Sequence, residues 1–388
     1  MCHAHQEAGC VPVSVETARF VGASGVEEIH LAASPIRHAD FETQLDWLHA
    51  ALAETLRSLG GDAQPILLRY ACSDLANQGR ALARRAAHGL SSRTAVSWIE
   101  QPPRPPAKLA LLALAIRDPA GGLDLELRGP TLTWRRGPLQ HHWSCRMNVP
   151  SEEAASLQTD KLLTAYEAEL QKRGLSLADH LIRTWFFLRD IDLDYGAMAE
   201  ARRLFFAARG LTPRTHYCAS TGIGGRAGEP QARVTLDAYA IGGVQPEQIS
   251  YLKAAEHLSP TDLYGVTFER GLAVDYRDRR QVFISGTASI DHQGRLLHPG
   301  NLARQLDRTL DNIEALLKEA AADWGDLCTL TAYVRDPSDL ERVRGELSDR
   351  LGPVPLMVVT AAVCRPGWLV EVEAQATVAE IREGLPEF

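Results

Sequence analysis

The stretch NLARQLDRTLDNIEALLKEA (residues 301–320) and the segment LTAYVRD (residues 330–336) after it decide the fold. Leucine and isoleucine recur every three or four residues in the first stretch, which predicts an amphipathic helix laying one stripe on a sheet. The second segment is typical of a short apolar strand that ends in a polar turn at Asp336. A helix followed by a strand that closes on Asp is therefore the unit to look for elsewhere in the chain.

The same unit occurs twice more in the sequence. FETQLDWLHAALAETLRSLG (41–60) precedes ILLRYACSD (66–74), and TDKLLTAYEAELQKRG (159–174) precedes RTWFFLRD (183–190). In each copy a second helical stretch follows the Asp, and two further strands end the copy. Self-similarity on this scale indicates tandem copies of one small unit.

The predicted fold class is therefore α+β, with three tandem domains. We expect these domains to cover residues 1–122, 123–245 and 246–388. The junctions fall in two stretches rich in turn-forming residues, 118–130 and 241–248.

Composition is that of an ordinary globular protein, with 45% apolar and 23% charged residues and a net charge of −8. An acidic balance disfavours a nucleic-acid partner, because such binding depends on Lys and Arg that neutralise phosphates. No apolar run approaches the length needed to span a membrane. The scattered cysteines and the absence of a signal-like start predict a reduced, cytoplasmic protein.

The third copy resembles the Rid/YjgF superfamily over its whole length. The matching motifs are ISGTASI (284–290), HPGN (298–301), DNIEALL (311–317), AYVRD (332–336) and LVEVEAQA (369–376). Rid proteins are trimers of chorismate-mutase-like domains, with ligand clefts between neighbouring subunits. The resemblance therefore implies an intramolecular pseudo-trimer around a central β-barrel, present as a monomer or a low homo-oligomer.

The second and third copies also resemble the chorismatases, which hydrolyse chorismate on the Rid fold. The stretches that carry this resemblance are RTWFFLRDID (183–192), STGIGG (220–225), VFISGTASI (282–290) and AAVCRPGWLVEVEA (361–374). In that family a Cys at the position of Cys364 goes with members that form hydroxybenzoate.

Rid deaminases pair a final-strand Glu with an Arg about fifteen residues earlier, and the three copies divide these two residues between them. The first copy has Ala110 at the Glu position. The second copy offers Arg214 but has Thr235 in place of the Glu, and the third has Glu371 but Leu356 in place of the Arg. No single copy therefore holds both residues. A complete pair could form only across a cleft, with the Arg from one copy and the Glu from its neighbour.

The last strand, around LVEVEAQA, alternates between apolar and polar residues, so Glu371 and Glu373 share one face. In a closed ring of three domains this face would point inward and lose solvation. Burial raises the pKa of a carboxyl group, as a general acid at neutral pH requires. We expect Glu371 to be the acid and Glu373 to be a hydrogen-bonding partner; a solvated acidic strand face is the alternative.

Binding of a substrate carboxylate requires Arg, because the guanidinium matches a carboxylate with two parallel hydrogen bonds. The candidates are Arg365, Arg214 from the neighbouring copy, and Arg146. Each could equally be an ordinary surface arginine.

Four other residues complete the expected binding site. Tyr264 falls where the family has a ligand-facing tyrosine. Gly286 and Thr287 would bring backbone amides close to a ligand, since Gly permits close approach. Cys364 would shape the pocket rather than attack, because no His lies near it in the sequence to activate the thiol.

The leading functional hypothesis is a chorismatase-like hydrolase in which Glu371 protonates the enolpyruvyl group of a chorismate-type dicarboxylate and pyruvate is released. The alternatives are a Rid-type imine or enamine hydrolase and a metabolite-binding protein without turnover. The expected partner is a small-molecule carboxylate, and neither a metal nor an organic cofactor is implied. Exposure of Glu371 to bulk solvent would favour the binding protein.

Overall fold

The chain folds into three mixed β-sheets of six strands each, with helices packed against them, in the computed structural model. The structure describes residues 1–9, 11–88, 93–151 and 153–388. The first sheet and its helices comprise β1 (Cys2–Glu7), β2 (Val13–Val21), β3 (Glu27–Pro35), α1 (Phe41–Ser58), β4 (Gln64–Cys72), α2 (Leu75–His88), β5 (Ala95–Glu100) and β6 (Leu109–Arg117).

The second and third sheets repeat this order of elements. The second comprises β7 (Asp124–Arg128), β8 (Thr131–Arg136), β9 (Leu139–Asn148), α3 (Ala155–Gln171), α4 (Leu177–His180), β10 (Leu181–Leu188), α5 (Ile191–Ala207), β11 (Ala219–Gly224) and β12 (Val234–Gly242). The third comprises β13 (Ile249–Leu252), β14 (Gly271–Asp275), β15 (Arg279–Ala288), α6 (Leu302–Glu319), β16 (Leu327–Val334), α7 (Leu340–Leu351), β17 (Leu356–Thr360) and β18 (Val370–Ala379).

Strand order is identical in the three sheets, which confirms the predicted repeat. Numbered within each sheet, the spatial order is first, second, third, sixth, fourth and fifth strand. The fourth and fifth strands pair in parallel, and the remaining pairs are antiparallel. Closure of the three sheets into one barrel stays a prediction.

The leucine stripes of the three long helices form the helix-facing cores. On α6, Leu306, Ile313 and Leu317 are fully buried, in the same apolar cluster as Val370 and Val372 of β18. The side chain of Asn301 accepts a hydrogen bond from the Arg304 backbone N–H and so caps the start of α6. The predicted α-helical periodicity is confirmed in all three copies, where the stripe residues of α1 and α3 are also buried.

Buried ion pairs join each sheet to its neighbours. Arg69 of the first sheet donates to Asp237 of the second at 3.1 Å, and Arg183 of the second donates to Glu373 of the third at 2.8 Å. These pairs lie on the sheet faces that point away from the helices, where each charge has lost most of its water.

The third junction joins the third sheet back to the first. Arg279 donates to Glu28 of the first sheet at 2.8 Å and also to the neighbouring Asp278. The three sheets are thus connected in a cycle by buried arginine–carboxylate contacts.

None of the helices in the described ranges is both long enough and apolar enough to cross a membrane.

Removal of one partner from a buried ion pair should destabilise the protein strongly. Arg279→Met leaves Glu28 and Asp278 without their guanidinium, so we expect a loss of about 3–5 kcal/mol in the free energy of unfolding. Arg203→Met removes an exposed arginine that pairs with Glu200 on the surface of α5, and should cost less than about 1 kcal/mol. Urea unfolding of both variants measures the difference; equal costs would contradict the structural role of Arg279.

Candidate active site

One cleft lies between the second and third sheets and encloses about 520 Å³, with open solvent at its mouth included. It is bordered by α5 and β11 on one side and by β15 and β18 on the other. The lining residues are Tyr195, Arg202, Ser220, Gly222, Val266, Phe268, Arg270, Gly286, Ala288, Ile290, Cys364, Arg365, Trp368 and Glu371. The cleft thus brings together Glu371, Gly286, Cys364 and Arg365 from the predicted site.

Glu371 is the carboxylic acid of this cleft. It lies on β18 between Ala288 of β15 and Tyr333 of β16, and its exposed fraction is 4%. Burial, together with the nearby charge of Glu373, raises the pKa of Glu371 to about 8. The carboxyl group is therefore largely protonated at neutral pH, as expected for a general acid.

A glycine makes room for this carboxyl group. A Cβ atom built on Gly286 would lie 2.0 Å from Oε1 of Glu371, so any other residue here would displace the acid. Gly286 sits at an irregularity in the pairing of β15 with β18, between Ile284 and Thr287. Its backbone N–H donates to Oγ1 of Thr221 at 3.0 Å. Gly286 thus makes room for the acid, and its approach to a ligand through the backbone amide stays a prediction.

Arg202 is one of two cationic residues of the cleft, with Arg270, that sequence reasoning missed. It projects from α5, is 2% exposed, and donates to Oγ1 of Thr267 at 2.9 Å and to Oγ of Ser220 at 3.1 Å. No ion pair in the described part of the chain involves Arg202. Burial accordingly lowers the pKa of its guanidinium.

The sequence did contain a signal for Arg202. The buried stripe of α5 includes Ile191, Met198 and Phe205, and Arg202 continues this stripe at helical spacing. A charged residue on an apolar stripe faces the protein interior, where it needs a polar partner or a ligand.

Two further arginines border the cleft at different depths. Arg270 is buried and donates to the backbone carbonyl of Ser259. Arg365 is exposed at the rim, with its guanidinium 5.3 Å from the ring centre of Trp368. The cleft is therefore lined by three arginines and one carboxyl group, which favours an anionic ligand.

Cys364 lies beside Glu371 on the cleft wall. Burial and the neighbouring Glu371 raise the pKa of its thiol, so Cys364 carries a neutral S–H group. A protonated thiol is a poor nucleophile, and contact of Cys364 with a ligand stays a prediction.

The remaining predicted residues lie outside the cleft lining. Thr287 is buried and donates to the carbonyl of Ser285. Glu373 faces the protein interior, where it accepts hydrogen bonds from Arg183, Trp185 and Thr221.

The other predicted binding residues are also dispersed. Arg146 stacks on Trp98 at 3.5 Å, at the junction of the first and second sheets. Arg214 is exposed in the loop before β11. Tyr264 ends a short turn whose tyrosine side chain lies outside the described residues.

Strand register explains why Arg214 is absent from the cleft. Leu356 of β17 pairs with Leu330, and Ser220 of β11 pairs with Thr184 at the equivalent place in the second sheet. Ser220 rather than Arg214 is therefore the structural counterpart of Leu356. The guanidinium of Arg202 reaches this position from α5 instead and donates to Ser220.

Comparison with known proteins agrees with this architecture. The family described as Endoribonuclease L-PSP matches residues 273–378. A RutC family protein of Pyrococcus abyssi is 30% identical over 97 residues, which are 24% of this chain and 76% of that protein. The chain belongs to the RutC family of the Rid/YjgF superfamily.

Solved structures place the fold of this Rid/YjgF member more closely. A crystal structure of a chorismatase matches with a TM-score of 0.62 and 20% identity, over 82% of this chain and 94% of that one. RidA from the Antarctic bacterium Psychrobacter sp. PAMC 21119 matches 33% of this chain and 99% of its own length, with 21% identity and a TM-score of 0.28. The first of these likenesses extends over all but a small part of the chain and concerns its fold.

The raised pKa of Glu371 predicts a pH-dependent stability. Because Glu371 ionises near pH 8 in the folded protein and near its ordinary value of 4.5 when unfolded, its contribution to stability is complete below pH 4.5 and is lost as the pH rises to about 8. Glu371→Gln should therefore gain stability relative to the parent by about 1.4 kcal/mol per pH unit across this window.

Chemical unfolding at several pH values measures this gain. The control is Glu341→Gln, which removes a carboxylate whose side chain is 74% exposed. Its stability curve should run parallel to that of the parent. A parallel curve for Glu371→Gln as well would show that Glu371 is solvated.

Proposed function

We propose that this cleft hydrolyses a small anionic substrate by protonation of an electron-rich double bond, with a chorismate-type enol ether as the substrate class. The observation that carries the proposal is the presence, in one cleft, of a buried carboxyl group on Glu371 and a buried guanidinium on Arg202. Among the residues that the structure describes, Arg202 has no carboxylate partner. The acid can supply a proton, and the arginine can hold a substrate carboxylate.

The reaction follows from the protonation state of Glu371. The neutral carboxyl group donates its proton to the terminal CH₂ carbon of the enolpyruvyl group, which leaves a cation stabilised by the ether oxygen. Water attacks this cationic carbon, and the Glu371 carboxylate accepts a proton from the water. The resulting hemiketal collapses to pyruvate and an alcohol, and the acid is restored. A positioned general acid contributes about 10²–10⁴-fold to such a rate.

The cations of the cleft suit a substrate with two carboxylates. Arg202 lies deep in the cleft, and Arg365 lies at its rim. Two arginines separated in depth can hold the two ends of a dicarboxylate and so fix the double bond against Glu371. An anion bound beside Glu371 would raise its pKa further and keep the acid protonated.

The burial of Glu371 separates this proposal from a protein that only binds a metabolite. A carboxyl group that faced bulk solvent would have favoured binding without turnover, whereas Glu371 is almost fully buried. Imine or enamine hydrolysis would use the same acid. Leu356 and Ser220 at the two deaminase Arg positions favour the enol ether.

Pyruvate release from chorismate by the purified protein tests the reaction. We expect release by the parent and a decrease of at least about 10²-fold in kcat for Glu371→Gln, because the amide cannot donate the proton. The exposed Glu341→Gln variant should retain the parental rate. Absence of pyruvate release from chorismate would overturn the enol-ether proposal, and ammonia release from imines would then identify the alternative.

Arg202→Met tests the carboxylate-binding role. Loss of charge-assisted hydrogen bonds worth about 1.5–3 kcal/mol should lower kcat/KM by about 10–150-fold. Arg203→Met is the matched control, because Arg203 is the adjacent residue on α5 and pairs with Glu200 on the surface. Equal kinetics for the two variants would exclude Arg202 from substrate binding.

A further inference from the structure

A second cavity lies between the three sheets, on the faces opposite to the helices, and its space amounts to about 510 Å³ with open solvent included. We call it the central chamber. All three sheets contribute to its wall, and neither Glu371 nor Arg202 does. Its lining residues are His30, Leu67, Arg69, Leu112, Ala113, Leu114, Trp143, Arg183, Trp185, Thr329, Thr331, Glu373, Ala374 and Gln375.

The walls of the central chamber combine an apolar side with a polar side. The first sheet contributes Leu67, Leu112 and Leu114, which are only partly buried. The second sheet contributes Trp143 and Trp185. Leucines and tryptophans around this space suit a ligand with an apolar body.

Two buried guanidinium groups in the wall have N–H atoms without a hydrogen-bond partner. Arg69 is 6% exposed and Arg183 is 1% exposed. Nε of Arg69 and Nη1 of Arg183 have no acceptor in the described part of the chain. An unsatisfied buried donor costs free energy, so a ligand acceptor that reached these N–H groups from the chamber would stabilise the protein.

The strand register shows where an acidic residue is missing. Asp237 on β12 and Glu373 on β18 occupy equivalent positions. Asp237 pairs with Trp185, and Glu373 pairs with Thr331. These two partners lie equally far before Asp190 and Asp336, the residues that end their strands. The equivalent residue on β6 of the first sheet is Leu112, which pairs with Arg69. Two of the three sheets therefore place a carboxylate here, and the first sheet places a leucine.

Most of the charged groups around these positions are paired. Asp237 pairs with Arg69, and Glu373 pairs with Arg183. Arg146 is also mostly buried near Asp237, but it donates to the carbonyl of Val96 and forms no ion pair within the described ranges. Three arginines thus lie near two carboxylates. The one without an ion pair is Arg146, which lies outside the chamber lining and has Glu229 as a second acidic neighbour.

A second cluster of charged groups lies near the chamber. Glu28 and Asp278 contact Arg279, and Glu28 also lies 3.7 Å from Nε2 of His30. This cluster has its own two cationic partners for its two carboxylates.

We propose that the central chamber binds a small organic monocarboxylate with an apolar, ring-sized body. The ligand's carboxylate occupies the place of the third acid beside Leu112 and accepts hydrogen bonds from Arg69 and Arg183. Its apolar body contacts Leu114 and the two tryptophans. This site is separate from the Glu371 cleft.

Calorimetric titration with benzoate tests the proposal, with benzyl alcohol and acetate as comparison ligands. Benzoate should bind at least about tenfold more tightly than either, because benzyl alcohol lacks the charge and acetate lacks the ring. Arg202→Met, which alters only the other cleft, should leave benzoate binding unchanged. No detectable benzoate binding, equal affinity for benzyl alcohol, or loss of binding in Arg202→Met would each overturn the proposal.

Substitutions at Leu112 test the charge argument directly. Leu112→Glu supplies the missing carboxylate within the chain and should weaken benzoate binding at least about tenfold. Leu112→Gln introduces a side chain of the same shape as Glu but without the charge, and it should weaken benzoate binding less than Leu112→Glu does. Leu114→Phe reduces the free volume while it keeps the wall apolar, and it should also weaken benzoate binding. It serves as the test if either Leu112 variant fails to fold. Unchanged affinity in Leu112→Glu or in Leu114→Phe would place benzoate elsewhere.

Discussion

The buried contact between Arg183 and Glu373 is the constraint on which the interior depends. Its 2.8 Å distance joins β10 of the second sheet to β18 of the third. Thr221 reinforces it by accepting from Arg183 and donating to Glu373. Desolvated charges are tolerated only when each is paired and hydrogen-bonded. A shift of one sheet relative to the other that broke these hydrogen bonds would leave buried charges unpaired, so the contact fixes the relative position of the two sheets. The candidate active site forms along this same junction.

The two glutamates of β18 show how neighbouring groups decide what a carboxylate can do. Glu373 accepts hydrogen bonds from a guanidinium, an indole and a hydroxyl group. Glu371, two residues earlier, lies against Gly286 and has its pKa raised by burial and by Glu373. The charge of Glu373 thus helps to keep the adjacent acid protonated, whereas Arg183 acts on its pKa in the opposite direction. Of the equivalent final-strand residues, Ala110 and Thr235 cannot supply such a proton, so Glu371 is the one acid at this position of the three final strands.

Much of the fold followed from local patterns. The leucine stripes, the strands that close on Asp74, Asp190 and Asp336, and the repeated order of elements all appear as predicted, because periodicity and capping act within a few residues of the chain. Glu371 and Gly286 were also identified in advance, and they lie in one cleft. Arg202 was missed, since its importance depends on which residues face α5. Arg214 lies 21 residues before Thr235 rather than about fifteen. Both the count along the chain and the strand register assign the equivalent position to Ser220.

The sequence by itself determined the threefold repeat, the helices and strands of each copy, and the acidic face of the last strand, because side-chain periodicity and turn chemistry are local properties. Only the tertiary structure decided which junction brings an acid and an arginine together. It also decided which arginines remain without a carboxylate. These features arise from contacts between residues far apart in the chain, and their energies depend on burial, which exists only once the three sheets have packed together.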